Sequence, residues 1–226
     1  IANSAAAAAT LPARLAPRRR VHVVYNSCPP WPARDAAAPA TSDPGTGAPL
    51  RVTWVGNAHP AKGFDVLAAV ARTVRDAAGP SVARFLALGV GAGDGPRLVA
   101  LAGDAVELGG YVDHDEVRRV LDATDVLLLT SQRRESLPNV VTEAFAAGLP
   151  VVATDVGGVA ELVRDNANGF VRRPGDVGAL AACVVTLARD AGLCRAMGER
   201  NRRLARERFH NAGKAASLLR VYGGAW

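Results

Sequence analysis

From residue 50 onward, short apolar runs alternate with stretches whose apolar positions recur every three or four residues. The runs at 50–55, 84–88, 105–108, 126–130, 151–153 and 169–171 predict strands. The stretches at 64–78, 94–102, 114–123, 138–147 and 158–163 predict the helices between them. Val126-Leu127-Leu128-Leu129 shows no polar alternation, as a strand covered on both faces requires. Strand and helix taking turns in this way predict an α/β fold, a Rossmann-like doubly wound parallel sheet. Asp113 with Glu116 three residues on reads as a capping pair, and Pro138 suits a first helical turn. Gly148 and then Pro150 end the helix that begins there. Beyond Asp176 the pattern is helical throughout, at 176–188, 191–208 and 214–221, with no further strand.

The first 49 residues follow a different rule. A helix-like start leads into Val21-His22-Val23-Val24-Tyr25, which reads as a strand. The stretch that follows is crowded with Pro, Ala and Gly, with Pro29-Pro30 and Asp43-Pro44-Gly45 as breakers. The expected division is a leading segment 1–25, an irregular linker 26–49, a domain 50–210 and a terminal helix in 211–226. The chain starts at Ile1 and its single methionine is Met197, so a portion upstream is expected.

Composition narrows the classes. With 226 residues, 49% of them hydrophobic and 21% charged, the chain has the makings of a packed core, which excludes wholesale disorder, collagen and coiled coil. The formal charge of +6 comes from 27 basic against 21 acidic residues, and only Lys62 and Lys214 are lysines. Arginines gather at Arg18 to Arg20 and between Arg189 and Arg208, where Glu199 and Glu207 interrupt them. That mixture reads as a solvated helix face. Aromatics make up 5% and are scattered, too sparse for a base-stacking platform, so no nucleic-acid partner is expected. Cys28, Cys183 and Cys194 have no C-x-x-C spacing and read as reduced, packed thiols of a cytoplasmic protein. No apolar run approaches the roughly 18 residues of a membrane span. Peripheral contact with the inner face of a membrane stays open.

The chemistry concentrates after the strand at 126–130, in Thr130-Ser131-Gln132-Arg133-Arg134-Glu135-Ser136-Leu137-Pro138-Asn139-Val140-Val141-Thr142-Glu143. Open α/β sheets bind ligands at the carboxyl ends of their strands, and the helix opening there offers unpaired N–H groups to an anion. Glu135 precedes that helix and Glu143 lies in its second turn, leaning back toward the amino end. Carboxylates accept hydrogen bonds from vicinal hydroxyls, so the pair suits a sugar on one side and a ribose on the other; two surface glutamates are the plain alternative. Asp113-His114-Asp115 is a literal D-x-D, but its place at a helix start favours a cap over a metal site. The glycines from Gly89 to Gly95 do not satisfy G-x-G-x-x-G, and Asp155 to Gly158 reads as a structural turn.

Glu135-x7-Glu143, within E-S-L-P-N-V-V-T-E-A-F-A-A-G-L-P-V-V-A-T-D-V-G-G-V-A-E, resembles the donor-binding signature of family-four retaining glycosyltransferases. The likeness continues through Val55-Gly56-Asn57-Ala58-His59-Pro60-Ala61-Lys62-Gly63, Gly93-Asp94-Gly95-Pro96, Gly109-Gly110-Tyr111-Val112 and Asn168-Gly169-Phe170, over roughly 50–210. It implies the GT-B arrangement of two Rossmann-like domains, with 50–210 as the nucleotide-sugar domain and 1–25 as the tail of an acceptor domain. It implies a UDP- or GDP-linked sugar as donor, no cofactor and no metal, and transfer with retention to an acceptor whose class (sugar, lipid-linked or small molecule) is open.

By the same resemblance Lys62 contacts the donor diphosphate and Gly63 lets the next helix begin close to it, in a loop that starts at Gly56. Glu135 contacts the transferred sugar, with the segment Ser136, Leu137, Pro138, Asn139 and Val140 bringing backbone N–H groups near sugar and phosphates. Glu143 holds the ribose, and Tyr111 and Val112 lie at the base. Lys62 and Glu135 are the residues nearest the reacting atoms. The sequence departs from the family where a second cation usually precedes the lysine: Asn57 and His59 stand there instead. His59 reads either as a phosphate ligand or as a capping histidine. A nucleotide-binding module or inactive fragment without transferase activity is the alternative function; an epimerase or phosphorylase of similar shape ranks below it.

Overall fold

The computed structural model describes residues 1–11, 21–28, 31, 48–133 and 135–223. Pro29-Pro30, Asp43-Pro44-Gly45, Arg18 to Arg20, Arg134 and most of the expected linker lie outside the described residues.

Strands β1 (Leu50–Val55), β2 (Ala83–Leu88), β3 (Glu107–Gly110), β4 (Val126–Leu129), β5 (Val151–Thr154) and β6 (Gly169–Arg172) form one sheet in the order β3-β2-β1-β4-β5-β6. Every neighbouring pair is parallel. The chain therefore winds outward from β1 to β3, returns to place β4 beside β1, and winds outward the other way. Loops after β1 and β4 diverge, which leaves a crevice between them at the carboxyl edge.

The helices are α1 (Ala5–Ala8), α2 (Phe64–Ala78), α3 (Pro96–Ala102), α4 (His114–Asp122), α5 (Asn139–Ala147), α6 (Val159–Leu162), α7 (Val177–Arg189), α8 (Ala191–Arg208) and α9 (Asn211–Gly223). Side chains of β4 alternate between the two faces, with Val126 and Leu128 in the core under α2 and α7, and Leu127 and Leu129 in the core under α5. Both faces are thus buried, which is why the run carries no polar residue. Trp54 of β1 is 1% exposed and meets the Phe64 ring edge-on at 5.8 Å. Truncating a side chain of that size in a core costs about 3–5 kcal/mol.

Asn168, from the N-G-F motif, is buried and works as a staple. Its side chain donates to Asn201 Oδ1 of α8 at 2.7 Å, while the Asn201 amide reaches the carbonyls of Leu149 and Asn168. Cys28, Cys183 and Cys194 are free and buried, as packed thiols should be. Among the described residues no single helix is long and apolar enough to cross a membrane.

Several boundaries depart from the pattern. The third strand is 107–110, not 105–108, because the N–H groups of Ala105 and Val106 return to the Ala102 carbonyl and finish the preceding helix. The helix expected at 94–102 is split by Gly95 at φ 108°, with a 3₁₀ turn (Ala92–Asp94) before it and α3 after. Val21 to Tyr25 joins no sheet: Val23 forms an isolated bridge with Ala2. Asp113 does cap α4, accepting from the Glu116 N–H at 2.8 Å, but the Glu116 carboxylate pairs forward with Arg119. Pro138 occupies the cap position of α5 rather than its first turn. Helix α9 starts at Asn211, ahead of 214, because His210 Nδ1 accepts from the Gly213 N–H.

Candidate functional site

After β1 the chain passes Gly56 and Asn57 into a 3₁₀ turn (Pro60–Lys62). His59 caps it: Nδ1 accepts from the Ala61 N–H at 3.1 Å, and Asn57 Oδ1 accepts from the His59 N–H. Gly63 closes the turn at φ 70°, and a methyl there would overlap the Thr130 carbonyl oxygen. Glycine is what lets this loop touch the end of β4. Thr130 then accepts from Trp54 Nε1 at 2.9 Å and donates to the Gly63 carbonyl at 2.7 Å, while the Gln132 N–H reaches the Ala61 carbonyl. The two diverging loops are stitched together at the base of the crevice.

Lys62 and Glu135 meet across that crevice. Lys62 Nζ lies 2.6 Å from Glu135 Oε1, and the buried Ser131 hydroxyl donates to the same oxygen at 2.8 Å. The Glu135 backbone rests on the turn before α6, where the Gly158 N–H donates to the Glu135 carbonyl at 3.0 Å. Methyl groups at Gly157 and Gly158 would overlap the carbonyl oxygens of Glu135 and Ser136. Beyond Glu135, α5 begins without a side-chain cap, so its first N–H groups face the crevice with the positive end of the helix dipole. Pro138 has no N–H to give, the Leu137 side chain is buried in the core beneath, and Ser136, Asn139 and Val140 lie at the rim. Asn3 donates to the Ser136 hydroxyl at 3.2 Å and Asn26 to Asn139 Oδ1 at 2.8 Å, so the leading segment borders the same helix end.

Glu143 lies one helix turn deeper and feels His114 and the buried Cys28. Burial pushes its carboxyl above the ordinary glutamate range, against the pull of His114. Burial, with the Glu143 charge adding to it, pushes the Cys28 thiol up to about 12. A carboxyl shifted upward contributes stability below the ordinary glutamate range and loses it as pH rises through the shifted value. Glu143→Gln is therefore expected to stabilise the fold at neutral pH by about 0.5–2 kcal/mol and to change little in acid. Thermal melts across a pH series check this; a gain independent of pH would remove burial as its cause.

Tyr111 stands apart from the Lys62–Glu135 pair. It is 70% exposed, and its hydroxyl donates to Asp94 Oδ1 at 2.6 Å. This bond and the Gly91 N–H hold the Asp94 carboxyl below its ordinary range, and the same contact raises the Tyr111 phenol. The loops after β2 and β3 are thereby joined, with Val112 half-buried behind Tyr111. A cavity of about 270 Å³ lies alongside, lined by His59, Asp65, Asp94 and Arg97 among others. The sequence pattern did not mark Asn3 or Asn26 as part of this region, gave Ser131 no role within the segment it singled out, and read Gly157-Gly158 by default as a turn. Two adjacent glycines were the one visible signal of the close backbone approach.

Residues 49–190 match the family model described as Glycosyl transferases group 1. The chain is 32% identical over 149 residues to the amylovoran biosynthesis glycosyltransferase AmsK of Erwinia amylovora, covering 62% of this chain and 36% of that protein. It is 36% identical over 108 residues to N-acetyl-alpha-D-glucosaminyl L-malate synthase of Bacillus anthracis, covering 48% of this chain and 28% of that one. The chain thus spans about a third of the length of these curated relatives. Among solved structures, Anabaena HepE in complex with UDP superposes with a TM-score of 0.80 at 22% identity, over 99% of this chain and 63% of that one. The lipopolysaccharide outer core galactosyltransferase WaaB in its apo form gives 0.75 at 19% identity, over 100% of this chain and 61% of that one. At these identities the structural likeness is one of fold.

Proposed function

The chain belongs to the Glycosyl transferases group 1 family, and from that premise we propose that residues 50–210 bind a nucleoside-diphosphate sugar, UDP- or GDP-linked, and supply the donor half of a sugar transfer. The observation that carries this reading is the Lys62–Glu135 pair, one cation and one carboxylate facing each other where the strand order reverses. A diphosphate would lie on Lys62 and the first N–H groups of α5, and a sugar hydroxyl would donate to Glu135. As the bond between the anomeric carbon and the diphosphate oxygen breaks, charge collects on the departing phosphate. Lys62 and the helix end would offset that charge in place, without a metal. Glu143 would take the ribose, and Tyr111 and Val112 the side of the base. Retention follows from the family resemblance, and no nucleophilic side chain is assigned.

Structural kinship supports the donor class, since HepE has been seen with UDP and with UDP-glucose. The acceptor would be held largely by residues beyond the donor domain, with 1–25 as the tail of that half. Cytoplasmic placement and contact with the inner face of a membrane are part of the same proposal.

Isothermal titration with UDP and with GDP, each with magnesium and with EDTA, tests it. One of the two is expected to bind at micromolar to millimolar concentration, unchanged by EDTA. No binding at millimolar ligand, or binding abolished by EDTA, overturns the reading. A nucleotide-binding module without transfer activity is the second reading, favoured by His59, whose ring is engaged as a cap instead of standing as a second phosphate cation. Consumption of donor in the presence of acceptor separates the two.

A further inference from the structure

Glu135 is anchored at three points. Its carbonyl accepts from the Gly158 N–H, and its carboxylate receives both the Ser131 hydroxyl and the Lys62 ammonium on one oxygen. Ser131 is itself fixed: it is fully buried, and its carbonyl accepts from the Thr154 hydroxyl at 2.6 Å. The Lys62 and Glu135 side chains are 34% and 18% exposed, at the lip of the crevice rather than in open water. An ion pair there is screened less than one on the surface, and a phosphate that approaches the lysine meets the Glu135 carboxylate as a like charge.

The carboxylate and a diphosphate thus compete for one ammonium. Displacing Glu135 from Lys62 leaves a half-buried carboxylate with Ser131 as its remaining side-chain donor among the described residues, which opposes binding. A ligand that also carries hydroxyl donors relieves this, because sugar hydroxyls can take the place of the ammonium on Glu135. The geometry points to Glu135 as a selectivity device: its carboxylate blocks Lys62 against a free nucleoside diphosphate and yields it to a nucleotide that carries a sugar. The pair re-forms once the sugar has gone, which speeds release of the nucleoside diphosphate. This inference rests on the donor-site reading above.

The test is a titration of the full chain and of Glu135→Gln, Lys62→Met and the double variant with UDP and with UDP-glucose, or with GDP and GDP-mannose if guanine is the base that binds. Glu135→Gln is expected to tighten the free diphosphate about tenfold. The gain should shrink at high salt and be smaller when residue 62 is already methionine, where only like-charge repulsion is relieved, and the sugar-nucleotide should gain nothing or weaken. Ser131→Ala, which loosens the carboxylate without removing it, is expected to tighten the free diphosphate about two- to threefold, and it keeps the test in hand if glutamine lowers stability. An unchanged or weaker diphosphate in Glu135→Gln, an equal gain for both ligands, or a gain as large in the methionine background as in the parent overturns the inference and leaves the donor site standing. No binding of either ligand to the unaltered chain overturns both.

Discussion

Lys62→Ala is expected to weaken sugar-nucleotide binding about a hundredfold, while leaving the melting temperature within a few degrees of the parent. The loss is large because the turn that carries the ammonium is held in place by its backbone. That turn is closed by the Gly63 N–H on Pro60, by the Lys62 N–H on His59, and by the Gln132 N–H on Ala61. A cation carried on a turn fixed in this way loses less freedom when a phosphate arrives. Alanine also strands Glu135, whose carboxylate would then face the incoming diphosphate as a like charge with the Ser131 hydroxyl as its remaining side-chain donor among the described residues. Adding Glu135→Gln to Lys62→Ala should therefore recover part of the loss for UDP. Titration of the two variants reads this directly, and a change below about threefold for Lys62→Ala would place the diphosphate elsewhere.

The sheet was legible because its central strands are buried on both faces. Val126 to Leu129 can be nothing else when each residue in turn meets a different core, and the five crossover helices followed from period alone. Boundaries were less legible where a backbone group had a choice of partner. Ala105 and Val106 look like strand residues, yet their N–H groups close α3, and no side-chain pattern encodes that preference. Val21 to Tyr25 has the composition of a strand but, among the described residues, no strand partner beyond the single bridge between Val23 and Ala2. At the site, the motif placed Lys62 and Glu135 on the same ligand. It did not show that they bind each other, because the contact joins residues 73 apart and depends on how closely the two loops approach. Gly63 and the Gly157-Gly158 pair set that approach, and a glycine in a sequence does not say what stands against it.

Gly157 therefore carries the second large expectation. Its φ is 57°, in the left-handed region, and a methyl there would overlap the carbonyl oxygen of Glu135. Left-handed backbone costs an alanine about 1–2 kcal/mol. The overlap adds more, because the obstacle is backbone held by the Gly158 N–H and cannot swing away as a side-chain tip would. Gly157→Ala is expected to lose about 3 kcal/mol or more, and to pull Glu135 away from Lys62 in the fraction that still folds. Gly175→Ala is the control. Its φ is 80°, but a methyl there would meet nothing nearer than Gln132 Oε1 at 3.8 Å, so it bears the conformational cost without the collision. Melts should separate the two variants by about 2 kcal/mol. Titrations with sugar-nucleotide at a temperature where both are folded should show lost affinity only for Gly157→Ala. Equal stability losses with affinity intact in both would mean that the turn fills space under Glu135 without positioning it.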